Sequence, residues 1–428
     1  MTKIVVIGGG WAGCAAAVAA RSAGADVVLI ERTDMLLGTG LVGGIMYNNG
    51  RLSAAWEARY MGASALFALI DATVRHVVDF PGHRHAALYD VNKIEPLVAT
   101  YLAKMGVEVH LGQRAVDVVM EGQRIEAVVT YGGQTYCGQA FVEATGTAGP
   151  VGNCLRFDSS CVMCILRCPT FGPRVSIAAK AGVQEETDRL FEALSGSCKL
   201  RKASLATWVV EKLEREGVLL VPIPQFLGKE DLLAKKACQQ YALREYAENL
   251  VLLDTGSVKL MAPFFPLEQL RSIRGFEQAK FEDPYSGGRG NSVRYCLITP
   301  RDNKLKVEGV ENLFCCGEKG GLMVGHTEAI ITGSLAGHNA VREALALELL
   351  ELPTELACGD FIAFVREELA AKDHEIGKYT FAGSIYFQRM RELGLYTTDL
   401  GKIERRVKQA GLWGIFSRPL TKQQKKRS

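Results

Sequence analysis

The sequence predicts an α/β protein: an open parallel sheet flanked by helices, interrupted by an inserted α+β domain and followed by a helical C-terminus. Three observations carry that expectation. The chain opens on a short apolar, β-branched run, Ile4-Val5-Val6-Ile7, that gives way at once to glycine, as a strand buried on both faces does. An Ala-rich stretch from Ala12 to Ala23 then ends at Gly24, and a second apolar run, Val27 to Ile30, completes a strand–helix–strand unit. Far along the chain the pattern returns: Leu313-Phe314-Cys315-Cys316 stops at Gly317, and Glu328 to Leu345 reads as a helix carrying small residues for close packing.

Between these ends the elements follow in order. Asn92 to Met105 predicts a helix, with Asn92 and Glu95 spaced as a capping box and Gly106 as its stop. Val107 to Leu111, Ala115 to Val119 and Ile125 to Tyr131 are Val- and Ile-rich runs separated by glycine turns and read as strands. Phe141-Val142-Glu143-Ala144-Thr145-Gly146 is a strand running into a small-residue turn. From about Pro150 to Arg301 the texture changes to amphipathic helices, predicted over Glu185 to Leu194, Ser204 to Glu216 and Glu230 to Tyr246, mixed with Pro-rich and aromatic stretches. The expected division is a discontinuous nucleotide domain from 1–150 and 300–345, an inserted domain over 151–299, a helical region over 346–421 and a disordered basic tail over 422–428.

Composition narrows the function classes. The 428 residues are 48% hydrophobic and 23% charged, apolar enough to fill a core or two and too apolar for disorder throughout. A net charge of +3 gives no bulk argument for a nucleic-acid partner. Residues 401–428, however, hold nine Lys and Arg against Glu404 alone, a net +8 that leaves −5 on residues 1–400. That stretch reads either as a solvated tail or as an RNA contact. No signal-like start and no window long and apolar enough for a membrane span are present, and 12 cysteines without an export signal predict reduced thiols in the cytoplasm.

The turn Gly8-Gly9-Gly10-Trp11-Ala12-Gly13 matches G-x-G-x-x-G between a strand and a helix, and Glu31 answers it at the end of the second strand. Gly8 permits the tight turn, Gly10 lets the backbone approach a pyrophosphate, and Gly13 lets helix and strand pack closely, while Glu31 can accept ribose hydroxyls. Gly38-Thr39-Gly40-Leu41-Val42-Gly43 repeats the spacing with no strand before it and is read as a decoy. Cys161, Cys164 and Cys168 form C-x2-C-x3-C-P, which leaves three readings open: iron ligands completed by a distant cysteine, a redox dithiol at Cys161 and Cys164, or buried packing. The histidines form no metal pattern, and neither a nucleophile elbow nor a phosphate-binding G-x-x-x-x-G-K occurs.

Taken together, Glu31-Arg32 leading into Gly38-Thr39-Gly40, then Ala144-Thr145-Gly146, then Gly317-Glu318, resemble the FAD/NAD(P)-binding Rossmann-like domain of the glutathione reductase type. The resemblance implies FAD as cofactor, held by Gly8, Gly10, Trp11, Ala12, Gly13, Glu31, Arg32, Gly38, Thr39, Gly40, Ala115, Ala144, Thr145, Gly146, Gly317, Glu318, Gly325, His326 and Thr327. Glu318 takes the ribitol role by this resemblance, and the helix entered at Gly325-His326-Thr327 the role of facing the isoalloxazine. His326, with Cys161 and Cys164, is the catalytic candidate.

Phe264-Phe265-Pro266-Leu267-Glu268, Ile273-Arg274-Gly275-Phe276-Glu277, Arg289-Gly290-Asn291-Ser292 and Gly325-His326-Thr327-Glu328-Ala329 resemble, in order, segments of the glucose-inhibited division protein A group and the folate- and FAD-dependent tRNA uracil methyltransferases. The methyltransferase cysteine before Pro-Ile-Glu is replaced here by Phe264 or Phe265, so methyl transfer does not carry over. The expectation is an FAD-dependent oxidoreductase acting on a small molecule or through a protein electron donor. A flavin-dependent tRNA-modifying protein and an iron–sulfur/flavin electron-transfer subunit are the alternatives.

Overall fold

The computed structural model describes residues 2–146, 168–185, 193–194, 197–228, 241–262, 265–282, 293–294, 298–371 and 378–420. Its central parallel sheet contains β1 (Lys3–Ile7), β2 (Asp26–Ile30), β3 (Glu108–His110), β4 (Ala140–Glu143) and β5 (Leu313–Cys315), in the spatial order β5-β4-β1-β2-β3. Every pair is parallel, with Ile7 opposite Ile30 on one side and Glu143 on the other, and Glu143 in turn opposite Cys315.

The continuous apolar character of β1 has a direct cause in packing. Alternate side chains enter different cores: Ile4 and Val6 join the large core under the helices, while Val5 and Ile7 join a second one with Ile125, Val128, Phe141 and Leu313. Over the first face lie α1 (Trp11–Ser22) and the late helix α4 (His326–Ala344), the latter preceded in the chain by α2 (Gly50–Tyr60) and α3 (Ile94–Lys104). A Cβ on Gly333 or Gly337 would overlap the carbonyls of Ala12 and Ala16, so the two helices meet backbone to backbone. Gly333→Leu is therefore expected to cost about 3 kcal/mol or more in urea unfolding, because neither backbone has room to yield.

Three more helices, α5 (Ala357–Ala370), α6 (Ser384–Glu392) and α7 (Leu400–Gln409), extend this same core through Phe361, Tyr386, Met390 and Val407. The intervening region builds an antiparallel sheet in the order Cys198–Leu200, Val258–Leu260, Asn249–Asp254, Val218–Pro222 with its own core. Of the two phenylalanines that stand where the resemblance puts a cysteine, Phe265 is buried in that core, and Phe264 lies outside the described residues.

The boundaries differ from expectation where tertiary contacts intervene. The helix Ile94–Lys104 has no capping box: Asn92 donates to Ser257 Oγ at 3.5 Å, and the Glu95 carboxylate accepts from the Leu36 amide at 3.2 Å. Ala193–Leu194, expected at the end of a helix, are a strand paired with Val293–Arg294. The helix expected from Ser204 starts at Thr207 and stops at Gly217, whose φ of +76° is the left-handed cap that glycine supplies. Most of the helix expected over Glu230 to Tyr246, together with Arg289–Ser292 and the tail from Lys422, lies outside the described residues. Among the described residues no helix is long and apolar enough to cross a membrane.

Candidate flavin site

The turn after β1 is shaped by clearance. A side chain on Gly8, whose φ is +101°, would press on the Ala144 carbonyl oxygen at 2.6 Å, and a Cβ on Gly13 would overlap the Gly8 carbonyl itself. Gly10 is the opposite case. It has an ordinary extended backbone (φ −67°, ψ −179°) and open space where a side chain would stand. Gly38 and Gly146 have the same open space but a left-handed backbone, φ +48° and +68°. The packed glycines thus close the turn against β4, and Gly10 leaves the N-terminus of α1 clear enough for backbone approach to a phosphate. Glu31 supports the turn: one carboxylate oxygen accepts the Gly9 amide at 2.7 Å, the other the Thr33 amide at 2.8 Å and hydroxyl at 3.0 Å. These bonds use three of its roughly four acceptor positions, which leaves one for a ribose hydroxyl.

The distant stretch arrives at the same place. A Cβ on Gly317 would stand 2.8 Å from that of Ala12, and the Gly317 amide donates to Thr332 Oγ1 at 2.9 Å. Glu318 accepts from Lys378 Nζ at 3.2 Å, and Thr145 donates to Glu143 at 2.9 Å. Arg32 points the other way, donating to the Gly172 carbonyl at 2.6 Å. Thr39 caps the single turn Gly40–Gly43. Ala115 begins the strand Ala115–Glu121; two residues earlier, the Gln113 amide donates to the Glu31 carbonyl at 2.8 Å.

Gly325, the N-cap of α4, sits where a Cβ would overlap Glu328 and Arg51. Thr327 is buried and donates to Met46 Sδ at 3.2 Å. His326 lies against Trp11, with ring centroids 6.3 Å apart, and its Nδ1 is 3.2 Å from Tyr89 Oη. Cys161 and Cys164 lie outside the described residues, as does the side chain of Cys168. Cys14, Cys315 and Cys316 are buried, and burial pushes all three thiols up, Cys315 to about 12, which suits packing and not redox exchange.

Several residues near the site carry no local sequence signal. Arg51 and Glu328 form a buried ion pair at 3.1 Å, and Glu328 also accepts Thr380 Oγ1 at 2.6 Å and the Phe381 amide at 2.9 Å. Arg51 further donates to Asn48 Oδ1 at 3.1 Å and ties the loop before α2 to the entrance of α4. Arg51→Met, which strands the Glu328 charge, is expected to lower stability by about 3–5 kcal/mol in urea unfolding. Lys259, a buried cation in the strand Val258–Leu260, donates to the Val42 carbonyl at 2.8 Å and to that of Gly43. The only hint of its role in the sequence is one charge between apolar neighbours.

Comparison with known proteins agrees with this geometry. Residues 3–149 match the family model described as FAD dependent oxidoreductase, and residues 233–348 match Glucose inhibited division protein A. The tRNA uridine 5-carboxymethylaminomethyl modification enzyme MnmG of Chlorobaculum tepidum is 35% identical over 106 residues, a match covering 24% of this chain and 16% of that enzyme. Two crystal forms of Aquifex aeolicus GidA share the fold, with TM-scores of 0.62 and 0.61 at 17% and 16% identity, covering 95% of this chain and 76% and 78% of theirs. The matched stretches make the chain similar to the FAD-dependent oxidoreductase family and support FAD as its cofactor. The chain also resembles the glucose-inhibited division protein A group.

Proposed function

We propose that this chain is a flavin-dependent redox enzyme of the cytoplasm, with FAD held between the turn at Gly8–Gly13 and the stretch from Gly317 to Thr327. The observation that carries the reading is the division of the glycines: those that pack admit no side chain, whereas Gly10, Gly38 and Gly146 face open space. Bound FAD supplies a two-electron carrier, and the protein supplies position and electrostatics. Glu31 receives the adenosine ribose, the N-terminus of α1 the pyrophosphate and Glu318 the ribitol, with Thr39, Ala115, Ala144 and Thr145 lining the approach. The N-terminus of α4 directs positive partial charge toward the ring edge that becomes negative on reduction. His326, at that helix start, handles the substrate proton. The region 151–299 caps the ring over a nucleotide domain formed by 1–150 and 300–345, and Cys161 and Cys164 are an entry for electrons from a dithiol or a protein donor.

The test is direct. Purified protein is expected to be yellow with FAD bound. His326→Asn should keep FAD while slowing flavin reduction by candidate hydride and dithiol donors by about 10²–10⁴-fold. Colourless protein that cannot be reconstituted with FAD overturns the assignment, and an unchanged rate removes His326 from it.

A second reading, modification of RNA by the same flavin, is favoured by α7. Its Lys402, Arg405 and Lys408 are exposed on one side, and Lys408 lies 4.8 Å from the ring of half-exposed Trp413, a basic and aromatic surface suited to nucleic acid. Under this reading tRNA binding weakens with salt, and replacing all three cations by alanine lowers the salt slope by about 2–3. Binding that is absent at low salt leaves the small-molecule enzyme.

A further inference from the structure

The stretch Phe171 to Glu185, expected to open the inserted domain, is fastened to the nucleotide domain. Near its start the Gly172 carbonyl accepts Arg32 Nη1 at 2.6 Å, and the Arg114 guanidinium packs so close that a Cβ on Gly172, whose φ is +76°, would stand 2.5 Å from it. Two residues on, buried Arg174 donates to Thr145 Oγ1 at 3.3 Å. Glu143 then accepts the amides of Ile177 at 2.9 Å and Ala178 at 2.8 Å. Lys319, with no exposed surface, donates to Ser176 Oγ at 2.7 Å and to Glu185. Each fastening lies at or beside a position read as holding FAD. Arg32 follows Glu31, Arg114 precedes Ala115, Glu143 precedes Ala144 and Lys319 follows Glu318, while Thr145 is itself such a position.

The order of the strands fixes where this stretch runs. Arg32 lies beyond the carboxyl end of β2 and Thr145 beyond that of β4, the two neighbours of β1. Strands two places apart stand roughly 10 Å from each other, so Gly172 and Arg174, held on either side, carry the chain past the carboxyl end of β1, where the Gly8–Gly13 turn begins. Ile177 and Ala178 then enter the core with Val5 and Ile7, on the sheet face away from α1. Ligands of open parallel sheets lie outside the carboxyl ends of the strands. The mouth at Gly10 is therefore bounded by α1 on one side and by this stretch on the other.

We propose that Phe171–Glu185 is a retaining strap: it closes the mouth over the adenosine and pyrophosphate half of FAD, and its pins must part for the coenzyme to enter or leave. The inference rests on the reading of FAD between the Gly8–Gly13 turn and the stretch from Gly317. Every pin joins protein to protein, so the strap gates entry as well as exit. Release of one pin should raise both rates, because a larger fraction of the protein is then open to the coenzyme. A residue that merely touched bound FAD would act on dissociation alone.

Stopped-flow uptake of FAD by stripped protein, and exchange of bound FAD against labelled FAD, give the two rates in wild type and in Arg32→Leu. Arg32 is a half-buried pin, so its loss spares the buried charges. Arg32→Leu is expected to exchange FAD about 10-fold to 100-fold faster, the scale of one hydrogen bond from a charged group, and to take it up faster as well. Unchanged rates, or faster exchange with unchanged uptake, overturn the proposal. If Arg32→Leu does not fold, hydrogen exchange of the wild type decides. Opening of the strap over bound FAD also breaks its contacts with the coenzyme, so amides of residues 171–185 should exchange about tenfold more slowly in loaded than in stripped protein. Equal protection overturns the strap. A wild type that takes up no FAD removes the parent reading, whereas FAD that binds and exchanges equally fast in both proteins removes the strap alone.

Discussion

Replacing Gly10 with valine is expected to strip the protein of FAD while leaving its stability within about 0.5 kcal/mol of wild type. Gly10 already has backbone angles that any residue adopts, and a side chain there meets no protein atom within 4 Å. The branched side chain would instead fill the space at the N-terminus of α1 where we propose that the pyrophosphate approaches. Loss of that contact should weaken FAD at least about 100-fold, equivalent to about 2.7 kcal/mol, as read by equilibrium dialysis. Gly13→Ala is the contrast. Its methyl group would overlap the Gly8 carbonyl, so the turn has to open and both fold and cofactor should be lost together. Tight FAD binding by Gly10→Val, or a native thermal midpoint in Gly13→Ala, would contradict the division of labour among these glycines.

The second large effect is on acid stability. His83 and His338 are both buried and held neutral, their pKa lowered to about 3 by burial first and then by Arg51 and Arg342 respectively. Asn48 donates to His83 Nδ1 at 2.8 Å, whereas neither ring nitrogen of His338 has a hydrogen-bond partner. The folded pKa lies below the unfolded value of about 6.5, so the unfolded chain takes up the protons first. Stability is therefore complete above about pH 6.5 and is lost as the pH falls toward 3, each histidine contributing on the order of several kcal/mol across that window. His338→Leu should flatten urea-unfolding stability between pH 6 and 4 by a slope of up to about one proton and, by removing an unsatisfied buried ring, add about 1 kcal/mol at neutral pH. A pH dependence identical to wild type would show that His338 titrates normally in the folded protein.

The first strand–helix–strand unit was readable because its causes are local. A β-branched run, a glycine turn and an alanine helix are settled by residues within a few positions of one another, and the structure places them at Lys3–Ile7, Trp11–Ser22 and Asp26–Ile30. The order of the flavin segments also survived reading, since their glycines punctuate the ends of strands. The capping box of Asn92 and Glu95 did not survive, because both side chains found partners on other segments. Lys259 and Glu328 looked like ordinary charges until folding placed them against a carbonyl pair and a buried guanidinium.

Sequence alone therefore determined the class of sheet and the glycine turn after the first strand, since each depends on near neighbours and on backbone geometry that only a few residue types permit, whereas the coenzyme was implied by the resemblance of segments far apart in the chain. The tertiary structure decided why Gly43 must be glycine and where the buried charges find their counterions. Those answers depend on clearances and donor–acceptor pairings between residues far apart in the chain, and such distances exist only once the helices and sheets have packed.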